Sequence, residues 1–220
     1  AAQLLDAPHA AVRSWTIRLL GDAGKVSETM AHRLDSFAEQ EPNVHVRQQL
    51  ACTARRLPSH QAVPIINANI NREIDNNDPY LPLLWWWAVE QHCIDGRDEV
   101  MRRFVRPTLW NSRLGRDFLL PRLVRRYAAA ATSNNLRSLA TLLQAAPDNA
   151  ARRPLWSAVL QGWKEQPATV AASFAATAQQ HEFSQVVSAA WNAAPNDLVL
   201  TALAVALKHQ PAFDSVIREA

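Results

Sequence analysis

The chain has 220 residues, enough for one elongated array of five or six helix pairs or one compact helical domain. Five glycines and almost no alternating β-branched runs argue against sheets, and a net charge of +3 is a mild basic balance that forces no conclusion about nucleic acid. Two lone cysteines, Cys52 and Cys93, give no disulfide framework or metal spacing, and no apolar run reaches the roughly 18 residues that span a bilayer.

The first element to organise the chain is Asp6 to Asp22, echoed by Glu41 to Pro58. Pro8 to Pro42, Val12 to Val46 and Arg13 to Arg47 are each steps of 34 residues, a period that marks stacked helical repeats. Val12, Thr16, Ile17 and Leu20 fall on one stripe of a helix, and Val46, Leu50, Ala54 and Leu57 form the same stripe in the second copy. Asp6 and Pro8 stand where a helix begins, and Glu41, Pro42 and Asn43 supply similar punctuation. Between the copies the spacing predicts a partner helix, Ser27 to Ala38, with Met30, Leu34, Phe37 and Ala38 inward and Ser27 as its cap. One such helix cannot bury its stripe alone; it needs an antiparallel partner, and each pair needs neighbouring pairs.

The D-x-P-x-x-x-V-R run closing on Leu-Gly-Asp at Asp6–Asp22 resembles the second helix of a HEAT repeat. The resemblance implies an all-α fold, an α-solenoid of stacked antiparallel helix pairs, about five to six over residues 1–220. It also implies that Asp6, Arg13 and Arg47 belong to a structural ladder along the stack. The third copy departs from the pattern, because aligning Pro79 with Pro42 puts Leu84 where the arginine belongs. A narrower likeness runs through QLACTARRLP at 49–58 and NDPYLPLLWWWAVE at 77–90. These are similar to the helical-repeat segment of large exported bacterial proteins that also carry a sugar-dehydrogenase-type β-propeller and a c-type haem domain. That likeness implies an exported or periplasmic protein. The haem signature C-x-x-C-H is absent, so this segment is expected to be the scaffold, with no cofactor of its own.

Residues 58–74 are expected to form the next helix, with Pro64 in its early turns, and the acidic turn at 75–79 launches Tyr80 to His92. A calcium loop is the weaker reading of that turn, since it lacks the loop glycine and the twelfth-position glutamate. Helix 80–92 is apolar nearly all round: Leu81, Leu84, Trp85, Ala88 and Val89 share one face, Leu83 and Trp87 another, and Trp86 a third. Burial is the plainer expectation, and the sharper one is that Trp86 or Trp87 lines a binding surface. Between 97 and 131 nine arginines face three acids. Arg102 and Arg106 share a helix face, as do Arg122 and Arg126, and these four are candidate contacts for an acidic partner; the alternative is a solvated face with a few salt bridges. Residues 1–131 carry the clearer repeats and 132–220 alanine-rich, degenerate ones. In the latter, Asn134 or Asn135 is expected to cap a helix, Pro147 and Asp148 to start another, and helices follow near 168–179, 183–193, 197–208 and 212–219. The chain begins without methionine in mid-repeat, which reads as a fragment of a longer protein.

Glu28 and His32 sit one helical turn apart but lack a third metal ligand, and adjacent His92 and Cys93 point apart on a helix. No catalytic or metal residue is assigned. The expected function is a non-catalytic scaffold binding another protein or a neighbouring domain of its own chain. The alternative is a nucleic-acid-binding or DNA-glycosylase-like repeat protein using arginines and tryptophans, and a bilin-lyase-like chaperone is a distant third.

Overall fold

The computed structural model describes residues 2–166 and 182–219, which form thirteen α-helices and no strand. In chain order α1 is Ala10–Asp22, α2 Glu28–Gln40, α3 Val44–Ala54, α4 Ser59–Ile70, α5 Leu81–His92, α6 Arg97–Phe104 and α7 Pro107–Asn111. Then come α8 Leu120–Ala130, α9 Ser133–Gln144, α10 Asn149–Lys164, α11 Glu182–Ala193, α12 Leu198–Ala206 and α13 Gln210–Glu219. Two compact units divide the chain, Ala1–Leu119 and Leu120–Ala220. The change of character read at residue 131 thus falls within the second unit, one helix past its start.

Local chemistry starts the helices of the first unit. Ser27 Oγ accepts from the Met30 amide at 3.3 Å, Asn43 Oδ1 from the His45 and Val46 amides, and Asp78 Oδ1 from the Tyr80 and Leu81 amides. Each satisfies donors that the first helical turn leaves orphaned. Asp6 does not play that part: it lies in a short 3-10 turn, Ala2–Asp6, and α1 starts after His9 without a side-chain cap. Pro64 sits mid-helix in α4 rather than in an early turn.

Helices pack on their next-but-one neighbours, α1 on α3 and α3 on α5 in one row, α2 on α4 and α4 on α6 in the other, with α3–α4 and α4–α5 joining the rows. That is the arrangement the two copies of the stripe require. Val46, Leu50, Ala51 and Ala54 of α3 are buried, and the same burial pattern returns 35 residues later as Leu81, Trp85, Trp86 and Val89. In α1 the stripe holds at Thr16 and Ile17, whereas Val12 is 38 % exposed. Each fully buried Leu, Ile or Val contributes about 1.5–3 kcal/mol.

Two arginines tie successive repeats together in the same way. Arg13 Nη1 donates to the Ala7 and Pro8 carbonyls, while its Nε and Nη2 reach the Glu41 carboxylate at 2.8 and 2.7 Å. Arg47 Nη1 donates to the Glu41 and Pro42 carbonyls, and its Nε and Nη2 reach Asp75. In both cases the arginine holds carbonyls five and six residues back and an acid 28 residues ahead. Asp6 takes no part in these pairs; its carboxylate meets Arg33 on the surface.

Polar side chains also suture helices in the interior. The buried Gln61 amide pairs with Val26 as a backbone would, accepting from its amide at 3.1 Å and donating to its carbonyl at 2.9 Å. His92 sits between α3 and α4, its Nε2 2.9 Å from the Ala54 carbonyl and its Nδ1 3.2 Å from Ser59 Oγ. A carbonyl only accepts, so Nε2 carries the proton and Nδ1 takes the serine hydroxyl. Burial, partly opposed by the Ala54 bond, pushes the His92 pKa below its usual value. The folded chain therefore binds fewer protons than the unfolded chain as pH falls through about 6.5. Stability from this site is complete above that pH and is lost on acidification toward the lower folded pKa. We expect the melting temperature to fall between pH 7.5 and 5.5 by more in the wild type than in His92→Gln, whose Nε2 can donate to the Ala54 carbonyl without titrating; parallel profiles would refute this.

In the second unit α8 packs on α10, α9 on α11, and α10 on α12, with α13 against α12. Three of its helices, α9, α10 and α12, are capped by Thr132, Asp148 and Asp197, whose side-chain oxygens accept from amides two or three residues ahead. Thr132 takes the role expected of Asn134 or Asn135, because α9 begins at Ser133, two residues before a cap at Asn134 would start it; Asn135 is buried within its first turn. Leu136, Leu139, Leu142 and Leu143 of α9 are inward, as are Trp156, Val159 and Trp163 of α10. Ala131 leaves α8 in a left-handed conformation with φ 52°. The helix expected at 168–179 lies outside the described residues.

Candidate binding groove

The arginine-rich stretch places its charges differently from a single free patch. Arg102 pairs with Glu99, Arg97 with Asp98 at 2.7 Å and Arg116 with Asp117 at 2.7 Å. Arg125 Nε reaches Glu165 at 3.1 Å, from α8 to the residue after α10. Arg106 turns its Nε back onto the Arg102 carbonyl. Arg102 and Arg106 belong to the first compact unit, Arg122 and Arg126 to the second. Both of the latter are half-buried on α8, and burial first, then Arg125, lowers the Arg122 pKa.

The tryptophan cluster separates cleanly. Trp86 is 9 % exposed and belongs to the core of α5, while Trp87 is 42 % exposed. The 35-residue burial register decides which is which: Trp86 repeats Ala51, an inward position, and Trp87 repeats Cys52, an outward one.

Trp87 lines a groove of about 520 Å³ running across α1, α3 and α5, together with Arg18, Gln49, Ala51, Cys52, Arg55, Arg56, Leu84 and Gln91. The volume lies in the range of ordinary ligand sites. Equivalent surface positions of three repeats build it. Arg18 steps by 34 residues to Cys52, and Cys52 by 35 to Trp87; Gln49 steps by 35 to Leu84, and Arg56 by 35 to Gln91. The floor is therefore apolar toward α5 and cationic toward α1 and α3.

Its electrostatics are specific. Arg56 Nη1 meets the exposed Asp22 carboxylate at 2.5 Å, and its Nη2 donates to the Arg18 carbonyl at 3.1 Å. The Arg18 guanidinium lies 5.3 Å from the centre of the Trp15 ring, a contact worth roughly 0.5–1 kcal/mol at an exposed site. Among the described residues neither Arg18 nor Arg55 has a carboxylate partner. Cys52 is reachable from solvent, yet desolvation of its thiol outweighs Arg56, Arg55 and Arg18 and raises its pKa, so it stays a neutral thiol near pH 7.

Other sequence candidates resolve into structural roles. Asp75 is taken by Arg47 and Asp78 by the start of α5, which leaves no calcium loop in that turn. Glu28 faces Gln61 and His60 rather than His32, and the Gln61 bond, then His60, lowers its pKa. The His92 ring is held by Ala54 and Ser59, away from Cys93. Arg18, Arg55 and Arg56 went unnoticed in the sequence because the groove repeats a position, not a residue type. Stepping the period back from Trp87 reaches Cys52 and Arg18, and Arg55 and Arg56 lie one helical turn beyond Cys52. No protein-family model, no curated protein and no solved structure matches the chain.

Proposed function

We propose that the chain is a non-catalytic scaffold of HEAT-like helical repeats that binds another protein, or a neighbouring domain of its own chain, along the groove on α1, α3 and α5. One observation carries the reading: three successive repeats place Arg18, Cys52 and Trp87 at one surface position, over a core that the Arg13 and Arg47 pairs hold in register. Repeat stacks present such surfaces by construction. The nucleic-acid reading loses ground because several arginines that suggested it already hold carboxylates, and phosphate binding needs many free cations along a track.

A phage library of random 12-residue peptides, selected on the full chain, tests this. Selected clones should bind the wild type and be lost on Trp87→Ala, a half-exposed site whose truncation should change unfolding free energy by no more than about 0.5 kcal/mol. Clones retained equally by Trp87→Ala would refute the groove. A duplex DNA shift with a steep salt slope would replace the reading with the nucleic-acid one.

A further inference from the structure

We infer that the groove takes an extended acidic segment of a partner protein, with one aromatic or aliphatic side chain seated against Trp87 and Leu84. This rests on the scaffold reading above and names the class of its partner. Charge complementarity argues it. Arg18 and Arg55 reach the groove with no carboxylate partner among the described residues, while Arg56, which also lines it, is already held by Asp22 and the Arg18 carbonyl. Planar guanidinium forks match carboxylates in two-bond geometry. The far side, Leu84 and the half-exposed Trp87, supplies an apolar seat of the kind that makes an anchor residue. Gln49 and Gln91 flank the groove with amides that both donate and accept, which suits the backbone of an extended chain. Cys52 adds no negative charge to oppose an acidic guest. Arg18 and Arg55 line one pocket rather than a track of cations, which favours a peptide over a nucleic acid.

A positional-scanning library of octapeptides, acetylated and amidated, tests the inference on the full chain by tryptophan fluorescence. The expected profile prefers Glu or Asp at flanking positions and Phe, Trp or Leu at one central position. Arg18→Gln and Arg55→Gln together should weaken the best peptide about tenfold or more, the scale of charged hydrogen bonds. Arg18→Glu with Arg55→Glu should shift the preference toward Lys and Arg. Circular dichroism checks that both variants fold, and the best peptide should slow maleimide labelling of Cys52. A flat or basic wild-type profile, or one unchanged by the charge reversal, overturns the inference. So does displacement of the peptide by a 12-nucleotide single strand at equal concentration, or binding of N-acetylphenylalanine as tight as the octapeptide. Peptides that bind, need Trp87 and carry no acids would sink the inference while leaving the scaffold reading intact.

Discussion

Asp75→Ala is expected to lower the free energy of unfolding by about 3–5 kcal/mol, the cost of leaving a buried charge without its partner. The side chains of Arg47 and Asp75 are 2 % and 1 % exposed. Every nitrogen of the guanidinium is in use: Nε and Nη2 on the carboxylate, Nη1 on the Glu41 and Pro42 carbonyls at 3.1 and 2.7 Å. Removing the carboxylate strands a cation that the same carbonyls hold in place, so it cannot swing out to water. Arg47→Met with Asp75→Leu should recover part of the loss, because both charges leave together. It should not recover all of it, since two carbonyls lose a donor at about 1 kcal/mol each. Denaturant unfolding of the wild type, Arg47→Met, Asp75→Leu and the double closes the cycle, with Asp75→Ala read beside it. A loss below about 1 kcal/mol for Asp75→Ala would mean that water reaches Arg47 and that the pair does not fix the repeats. Glu41→Ala should cost less, because Arg13 is 13 % exposed and can be partly resolvated.

The first unit was largely legible because its signals are local. Val46 and Leu50 share a stripe, and Ser27, Asn43 and Asp78 sit where amides need acceptors. The acids of the Arg13 and Arg47 pairs were less legible because they occupy different contexts: Glu41 is one residue before a proline, Asp75 ends a 3-10 turn. A residue-type pattern centred on Asp6 therefore found the arginines and missed their partners. The nine-to-three arginine excess misled for a related reason, since one relieving acid, Glu165, stands 40 residues from Arg125 and meets it only through the packing of α8 on α10. Trp86 and Trp87 could not be separated by composition, as helix 81–92 is greasy on most sides. The burial register inherited from α3 separates them.

Gly162→Ala is expected to destabilise the second unit by about 2 kcal/mol, against the gain of about 1 kcal/mol that alanine ordinarily brings to a helix interior. A Cβ at 162 would lie 2.3 Å from the Arg125 carbonyl oxygen and 3.0 Å from the Ala128 Cβ. The obstacle is the backbone of α8, so the helix itself must retreat, and overpacking of this kind costs about 1–3 kcal/mol or more. Retreat also stretches two bonds that span the interface, Gln166 Nε2 to the Ala128 carbonyl at 2.5 Å and Arg125 Nε to Glu165 at 3.1 Å. Gly21 in α1 is the internal control. Its Cβ would meet side chains rather than backbone, Thr53 Cγ2 at 2.8 Å and Arg56 Nη2 at 2.9 Å; the end of Arg56 can swing aside, and the buried Thr53, whose hydroxyl donates to the Ile17 carbonyl, has to shift without moving a helix backbone. Gly21→Ala should therefore cost less than Gly162→Ala, whose Cβ meets a backbone carbonyl at 2.3 Å. Urea unfolding followed by circular dichroism reads both variants. Equal stabilities would show that α8 and α10 do not approach as closely as Gly162 requires, and that the second unit is packed more loosely than the first.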